Sequence, residues 1–151
     1  MYTNPLETIK TVFIIEPQVI KDNAEFVGSS GSTPATVDTL GFVRMRITLR
    51  LGATDIEMAQ LRLLSSDAPT SDFVAVTGSA FSPLPSGTDD NKSFVYFIKL
   101  DGTQKRYWRI EATAGNGSAG SYAVAWADLA RGDITPSTAT LRNHAVEIFL
   151  P

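Results

Sequence analysis

The sequence of 151 residues contains no cysteine and a single histidine, His144. Without cysteine the chain can form no disulfide, no thiolate metal site and no cysteine nucleophile. One histidine excludes most zinc sites and leaves a single candidate for a histidine base. His144 has the strand parity of Val146, Ile148 and Leu150, which favours a structural role over that of a ligand or base. We therefore expect no metal, no cofactor and no enzymatic activity.

Charge is also scarce: charged residues make up 19% of the sequence, and the formal net charge is −3. A protein that grips nucleic-acid phosphates normally has a basic excess, so this balance argues against a nucleic-acid partner. The apolar runs are far shorter than the roughly 20 residues that span a bilayer. The N-terminus lacks the basic and apolar parts of a signal peptide. We expect a chain that does not enter a membrane.

Short apolar runs separated by turn residues are what the sequence does contain. In the stretch Asp89–Arg131, three such runs are separated by Asp101-Gly102 and by the loop Gly115–Ser118. Asp-Gly and Gly/Asn/Ser clusters between short apolar runs predict strands joined by tight turns, so we expect these runs to form the central hairpins of a sheet. The runs are Phe94–Leu100, which is apolar on both faces, Tyr107–Ala114 and Tyr122–Leu129.

The clearest two-residue period lies in Phe42–Leu51 and predicts a strand with one face in a core. Three arginines on its other face could grip anions, could be solvated, or could meet another subunit. Because the net charge is acidic, we favour water or a protein partner for them. The apolar face comprises Val43, Met45, Ile47, Leu49 and Leu51, and the polar face comprises Arg44, Arg46, Thr48 and Arg50.

The remaining strands complete the expected architecture. Thr8–Ile20 is apolar but contains Pro17, which cannot donate to a sheet ladder, so we predict an edge strand or two short strands there. Shorter strands are predicted at Met58–Leu64, Phe73–Thr77 and Val146–Leu150. Roughly eight strands in one domain predict an all-β fold, namely an antiparallel β-sandwich or jelly roll.

That domain is expected to cover residues 1–151. The glycine- and serine-rich loop Gly28–Pro34 separates the beginning of the chain from the rest. Residues 1–35 are therefore expected to be an N-terminal extended segment, either an arm or an edge strand of the body.

Three strings of residues suggest chemistry but are better explained by structure. Gly115–Gly120 matches the dinucleotide fingerprint G-x-G-x-x-G, but the repeated βαβ units of that fold are missing, so we interpret it as a turn. Lys105–Arg109 mixes basic and aromatic residues, and we interpret Trp108 as a core residue rather than a base-stacking platform. Asp89-Asp90-Asn91 lacks the spacing of a calcium loop and is expected to shape a turn.

Three further stretches resemble a family of small virion proteins encoded among the head genes of tailed bacteriophages and prophages. They are Leu51–Asp67, Leu84–Leu100 and Arg106–Arg131, and the run from Gly52 to Arg131 over which the resemblance extends covers a little over half of the chain. The family is similar to capsid decoration, or cement, proteins with a β-sandwich or jelly-roll body. The resemblance implies no catalytic residue. It implies a chain made in the cytoplasm of a bacterial host and located on the capsid surface of the virion.

The function implied by this resemblance is to stabilise a capsid by contacting the major capsid protein and neighbouring copies of the chain. We expect a homo-oligomer, with a trimer as one candidate. Alternatives are another virion component (a tail-tube, adaptor or head-spike protein) and a carbohydrate-binding β-sandwich module. The latter needs exposed aromatic residues, and we expect Trp108, Trp126, Tyr107 and Tyr122 to lie in the core. The predicted protein interface comprises Val12, Phe13, Ile14, Ile15, Arg44, Arg46 and Arg50, together with the loop Ser79–Asn91.

Overall fold

The computed structural model describes residues 9–28, 35–131 and 146–150, which form two β-sheets packed against each other. The prediction of an all-β sandwich is therefore confirmed. No helix of the described residues is long and apolar enough to cross a membrane. The strands of the described residues are β1 (Ile9–Ile20), β2 (Val37–Asp38), β3 (Arg44–Thr54), β4 (Gln60–Ser66), β5 (Val74–Ala75), β6 (Ser93–Lys99), β7 (Tyr107–Thr113), β8 (Ser121–Ala130) and β9 (Val146–Leu150), and Gly87–Asp89 forms a 3-10 turn.

The strand order is that of a jelly roll with one added strand. The larger sheet has the order β1-β8-β3-β6-β9, and the smaller sheet has the order β2-β7-β4-β5. The antiparallel pairs β1/β8, β2/β7, β3/β6 and β4/β5 nest inside one another and alternate between the two sheets. This nested pairing of eight strands is the double Greek key of a jelly roll. The added strand β9 pairs with β6 in parallel and forms the second edge of the larger sheet.

The expected central hairpins are wrong, although the strands themselves are present. Strands β6 and β8 belong to the larger sheet, whereas β7, which lies between them in the chain, belongs to the smaller sheet. Among the described strands, only β4 and β5 are both consecutive and directly paired. The turn residues after β6 and β7 reverse the chain but do not specify which sheet the next strand joins. That choice depends on pairing between strands far apart in the sequence.

The core lies between the two sheets and contains the apolar face predicted for β3. Met45, Ile47, Leu49 and Leu51 are all buried, while Val43 precedes the strand and is 40% exposed. Trp108 is also buried, as expected, and its indole Nε1 donates a hydrogen bond to the carbonyl oxygen of Lys105 at 2.8 Å. The core thus takes the alternate residues of β3 from one side and of β4 and β7 from the other.

Strand β1 is the edge strand that Pro17 predicted. Its pairing with β8 shifts in register between Phe13 and Ile15 and again between Ile15 and Gln18. The shifts place Pro17 within an irregular part of the strand, where a missing N–H donor costs little. Residues 9–20 are thus an edge strand of the body, while residues 1–8, 29–34 and His144 lie outside the described part of the chain.

Candidate functional site

The outer face of the smaller sheet is polar and makes its own contacts. Arg62 forms an ion pair with Glu111 on the neighbouring strand. Arg106 donates two hydrogen bonds of 2.7 Å to the carboxylate of Asp38, and this pairing lowers the pKa of Asp38 to about 2. The guanidinium of Arg109 lies 4.0 Å from the ring centre of Phe73. These contacts are typical of a face in contact with water.

The outer face of the larger sheet carries apolar side chains instead. Phe13 on β1 is 61% exposed and lies opposite Trp126 of β8 in the sheet register. Val19 is 58% exposed and lies opposite Tyr122, which is 39% exposed. Because alternate residues of a strand share a face, Tyr122, Val124 and Trp126 form a continuous row along β8. We call these five residues the apolar strip: Phe13, Val19, Tyr122, Val124 and Trp126.

Strand β8 places its large residues outside because its small residues face the core. Ala123, Ala125 and Ala127 are fully buried. They lie in register beside the large buried residues Leu51, Leu49 and Ile47 of β3, so large and small side chains alternate across the inner face. The inward positions of β8 are thus filled without aromatic side chains.

The expectation that Trp126, Tyr122 and Tyr107 lie in the core is therefore wrong. Trp126 and Tyr107 are half-buried on outer faces, and Tyr122 is exposed. Tyr122 also depends on Gly52 of β3, because a Cβ added at Gly52 would lie only 2.8 Å from Cδ1 of the tyrosine ring. The ring of Tyr122 thus lies across the space that Gly52 leaves open.

The three predicted arginines share this same outer face, on β3 beside the strip. Arg46 forms an ion pair of 2.6 Å with Asp128 of β8, and the same carboxylate accepts a hydrogen bond of 2.7 Å from Thr11. Arg50 is half-buried and donates a hydrogen bond of 3.1 Å to the hydroxyl of Ser93. The structure thus brings Arg44, Arg46 and Arg50 together with Phe13, as one protein interface would require.

The other predicted interface residues of β1 face the core. Ile14 and Ile15 are buried, and Val12 is half-buried and packs against the same core. Their side chains are not available to a partner in this fold. Of the four residues predicted from the apolar run, Phe13 alone is mostly exposed.

The predicted contact loop Ser79–Asn91 is anchored to the body by side chains and backbone. Phe81 is buried against Phe94 and Tyr96. The carboxylate of Asp90 accepts a hydrogen bond of 2.8 Å from the backbone N–H of Thr54. Asp89 pairs with Lys92 at 2.9 Å, and this contact lowers the pKa of Asp89. Within the described residues, no group of three or more acidic or histidine side chains could hold a metal ion.

The glycine string Gly115–Gly120 is a loop between β7 and β8, as expected, and it binds a carboxylate of its own chain. Asp55 accepts hydrogen bonds from the backbone N–H groups of Ala119 at 2.8 Å and Gly120 at 3.0 Å. These bonds, that from Gly120 contributing most, lower the pKa of Asp55. A Cβ added at Gly117 would overlap the Asp55 carboxylate. The backbone donors that suggested a phosphate site therefore already hold an anion.

A cleft of about 400 Å³ opens at one end of the same outer face. Ile9, Phe97 and Leu150 contribute apolar lining, and Arg44 and Lys99 contribute cationic groups. The cleft and the apolar strip together make this face the candidate functional surface of the described residues. Comparisons with family models, with curated proteins and with solved structures find no match to this chain. The resemblance to the phage family therefore stays a prediction.

Proposed function

We propose that the chain is a non-enzymatic structural protein of a tailed-phage virion. In this role it decorates the capsid surface and stabilises the shell through contacts with the major capsid protein and with neighbouring copies of itself. The observation that carries the proposal is the contrast between the two sheet faces. One is polar and holds Arg62 and Arg106 in ion pairs, and the other combines exposed apolar residues with arginines, as protein interfaces do.

The jelly roll suits this role because it supplies a stiff body with a flat face. An interface gains most of its free energy from aromatic and arginine side chains at its centre. Phe13 and Trp126 lie side by side on this face, and Arg46 and Arg50 lie on the next strand. The aromatic side chains would lose water on contact with the shell or with a neighbouring copy, and the arginines would pair with acidic or carbonyl groups of that partner.

The proposal is tested by adding the purified protein to capsids assembled without it. We expect the protein to sediment with the capsids and to raise the temperature at which they are disrupted. Phe13→Glu is expected to weaken this binding at least about tenfold, because it buries a charge in the contact that this face makes with the shell or with a neighbouring bound copy. Val74→Glu is the matched control, since Val74 is 52% exposed on the smaller sheet. A virion map that lacks the chain, or equal binding by both variants, would contradict the proposal.

A second candidate function, binding of carbohydrate, is favoured by the aromatic members of the apolar strip. Phe13, Tyr122 and Trp126 are accessible side chains on one sheet face, and the flat faces of sugar rings pack against aromatic rings. A glycan array tests this candidate. Carbohydrate binding predicts that a glycan on the array gives a signal, and that Trp126→Ala loses this signal while its thermal unfolding stays cooperative. An array without any signal would contradict this candidate function.

A further inference from the structure

Two groups of opposite charge lie on either side of β8 at the same height. Arg50 of β3 lies in register with Val124 of β8. On the other side of β8, Ile15 pairs with Ala125 and Gln18 pairs with Ala123, so the irregular part of β1 containing Glu16 lies opposite Val124. Glu16, Val124 and Arg50 therefore form one row across three neighbouring strands.

Neither charged group has an ion-pair partner in the described part of the chain. The salt bridges there join Arg46, Arg62, Lys92 and Arg106 to acidic residues other than Glu16. Arg50 donates to the neutral hydroxyl of Ser93, and the backbone oxygen of Glu16, not its carboxylate, accepts from Gln18. A half-buried guanidinium with one neutral partner keeps most of its donors for another molecule.

The open edge of β1 is a poor place for that molecule to pair. Pro17 removes a donor, and two register shifts bend the strand. The backbone N–H of Ala35 already donates to the carbonyl oxygen of Ile14 at 3.1 Å. A partner is therefore expected to pack on the face of the sheet rather than extend it by another strand.

We propose that a second copy of this chain packs face to face on the apolar strip, related by a two-fold axis that runs parallel to β8. Rotation about this axis places β1 of one copy against β3 of the other and leaves the position of each residue along the strand direction unchanged. Glu16 of each copy then faces Arg50 of the other, and Val124 faces Val124. The interface is isologous, so both ion pairs form by symmetry.

The alternative two-fold axis, perpendicular to the strands, fails on charge. It would place Arg50 against Arg50 and Glu16 against Glu16, and like charges in contact are unfavourable. The charge arrangement therefore selects one orientation of the pair. The two sheets would pack about 10 Å apart, with strand directions within about 30° of each other.

The size of the strip predicts a weak dimer. An aromatic side chain has a surface of about 150–250 Å². On this scale, the exposed fractions of Phe13, Val19 and Tyr122 together amount to apolar surface on the order of 300 Å². Stable interfaces bury about 800 Å² on each partner, so the surrounding face must contribute and the dimer is expected to dissociate in the micromolar range. Another copy, rather than the capsid protein, then covers the strip, and of the two partners in the proposed function on which this dimer rests it is the one that lies there.

Sedimentation of the purified full chain over a concentration series tests the inference without capsids. We expect a reversible monomer–dimer equilibrium for the unchanged chain and for Val74→Glu, and a monomer for Phe13→Glu. Thermal unfolding of each variant shows whether it stays folded. A chain that remains a monomer up to about 200 µM, or that forms a trimer, overturns the inference. Either result concerns the dimer alone, because binding to capsids is measured in the separate capsid experiment.

A charge exchange tests the orientation. Glu16→Arg and Arg50→Glu alone each place like charges together and are expected to weaken the dimer at least about tenfold. The two changes combined restore opposite charges and are expected to return the dissociation constant to near its original value. A combined variant weaker than both single variants would overturn the two-fold arrangement.

Discussion

At the scale of single residues, Asp55 determines the conformation of a glycine-rich loop. Its carboxylate accepts backbone hydrogen bonds from Ala119, Gly120 and Ile56 and so joins the loop after β7 to the loop after β3. Successive N–H groups of a glycine-rich turn form an anion-binding hollow, whichever anion enters it. The match of Gly115–Gly120 to a phosphate-binding string is thus explained by general backbone chemistry.

Gly117→Ala is expected to destabilise the protein by about 1–3 kcal/mol, because the added methyl group would overlap the Asp55 carboxylate and force the two loops apart. Urea unfolding of both proteins measures the difference. Ser118→Ala is the control, since Ser118 is exposed in the same loop. Equal unfolding midpoints for Gly117→Ala and Ser118→Ala would show that the loops separate without cost.

Acid is expected to unfold the protein through carboxylates that are held charged in the fold. The pKa of Asp38 is lowered to about 2 from its usual 3.8, and the pKa values of Asp55 and Asp89 are also lowered. A carboxylate whose pKa is lowered by folding stabilises the folded protein at pH values above its pKa in the unfolded chain, which is near 4. This stability is lost as the pH falls from there toward 2.

Thermal unfolding between pH 7 and pH 2 measures this loss. Asp38→Asn is expected to flatten the pH dependence below pH 4, because Arg106 then has no charged partner to lose. Asp22→Asn, the same substitution at an exposed position whose φ of 57° asparagine also adopts, is the control. An Asp38→Asn variant with the pH profile of the unchanged protein would contradict this assignment.

At the scale of elements, β1 shows how one strand can serve both the core and a surface. Ile15 is fully buried, whereas Phe13 is mostly exposed. Ile15→Ala is expected to cost about 2–5 kcal/mol through lost burial and a cavity, and Phe13→Ala less than about 0.5 kcal/mol. Chemical unfolding at low protein concentration, where the proposed dimer dissociates, measures both. A larger loss for Phe13→Ala than for Ile15→Ala would reverse the assigned faces.

The sequence was sufficient to predict most strands but not the sheets to which they belong. The two-residue period of β3 and the turn residues around β6 and β7 are local signals, and the structure places strands at these positions. Whether β7 pairs with β6 or with β4 depends on contacts between distant segments. The same turn residues serve a hairpin and a crossing between sheets, so the predicted hairpins were wrong.

The candidate site could be predicted in part. The shared face of Arg44, Arg46 and Arg50 follows from their spacing, and the structure confirms it. The exposure of Trp126 and Tyr122 did not follow, because aromatic residues usually indicate a core. The available signal was the alternation of large residues with Ala123, Ala125 and Ala127, whose small side chains suit a closely packed inner face.

At the scale of the whole molecule, the nested strand order predicts slow folding. Each antiparallel pair of the jelly roll except β4/β5 joins strands separated by other strands of the fold. Closing such long loops costs entropy before any contact is gained, and folds of this kind refold in milliseconds to seconds rather than microseconds. Stopped-flow fluorescence of Trp108 and Trp126 after dilution from urea measures the rate. A refolding phase completed within microseconds would contradict the nested order.

The pairing of β1 with β8 also has a consequence for synthesis of the chain. Thr11 bonds to Asp128, which is 117 residues later in the sequence. At roughly 5–20 residues per second, a ribosome adds Asp128 about 6 to 23 s after Thr11. For that time the apolar residues Ile14 and Ile15 lack the strand that covers them. The proline and the register shifts of β1 would then act first as protection of the newly made chain, by making this strand a poor template for strands of neighbouring chains.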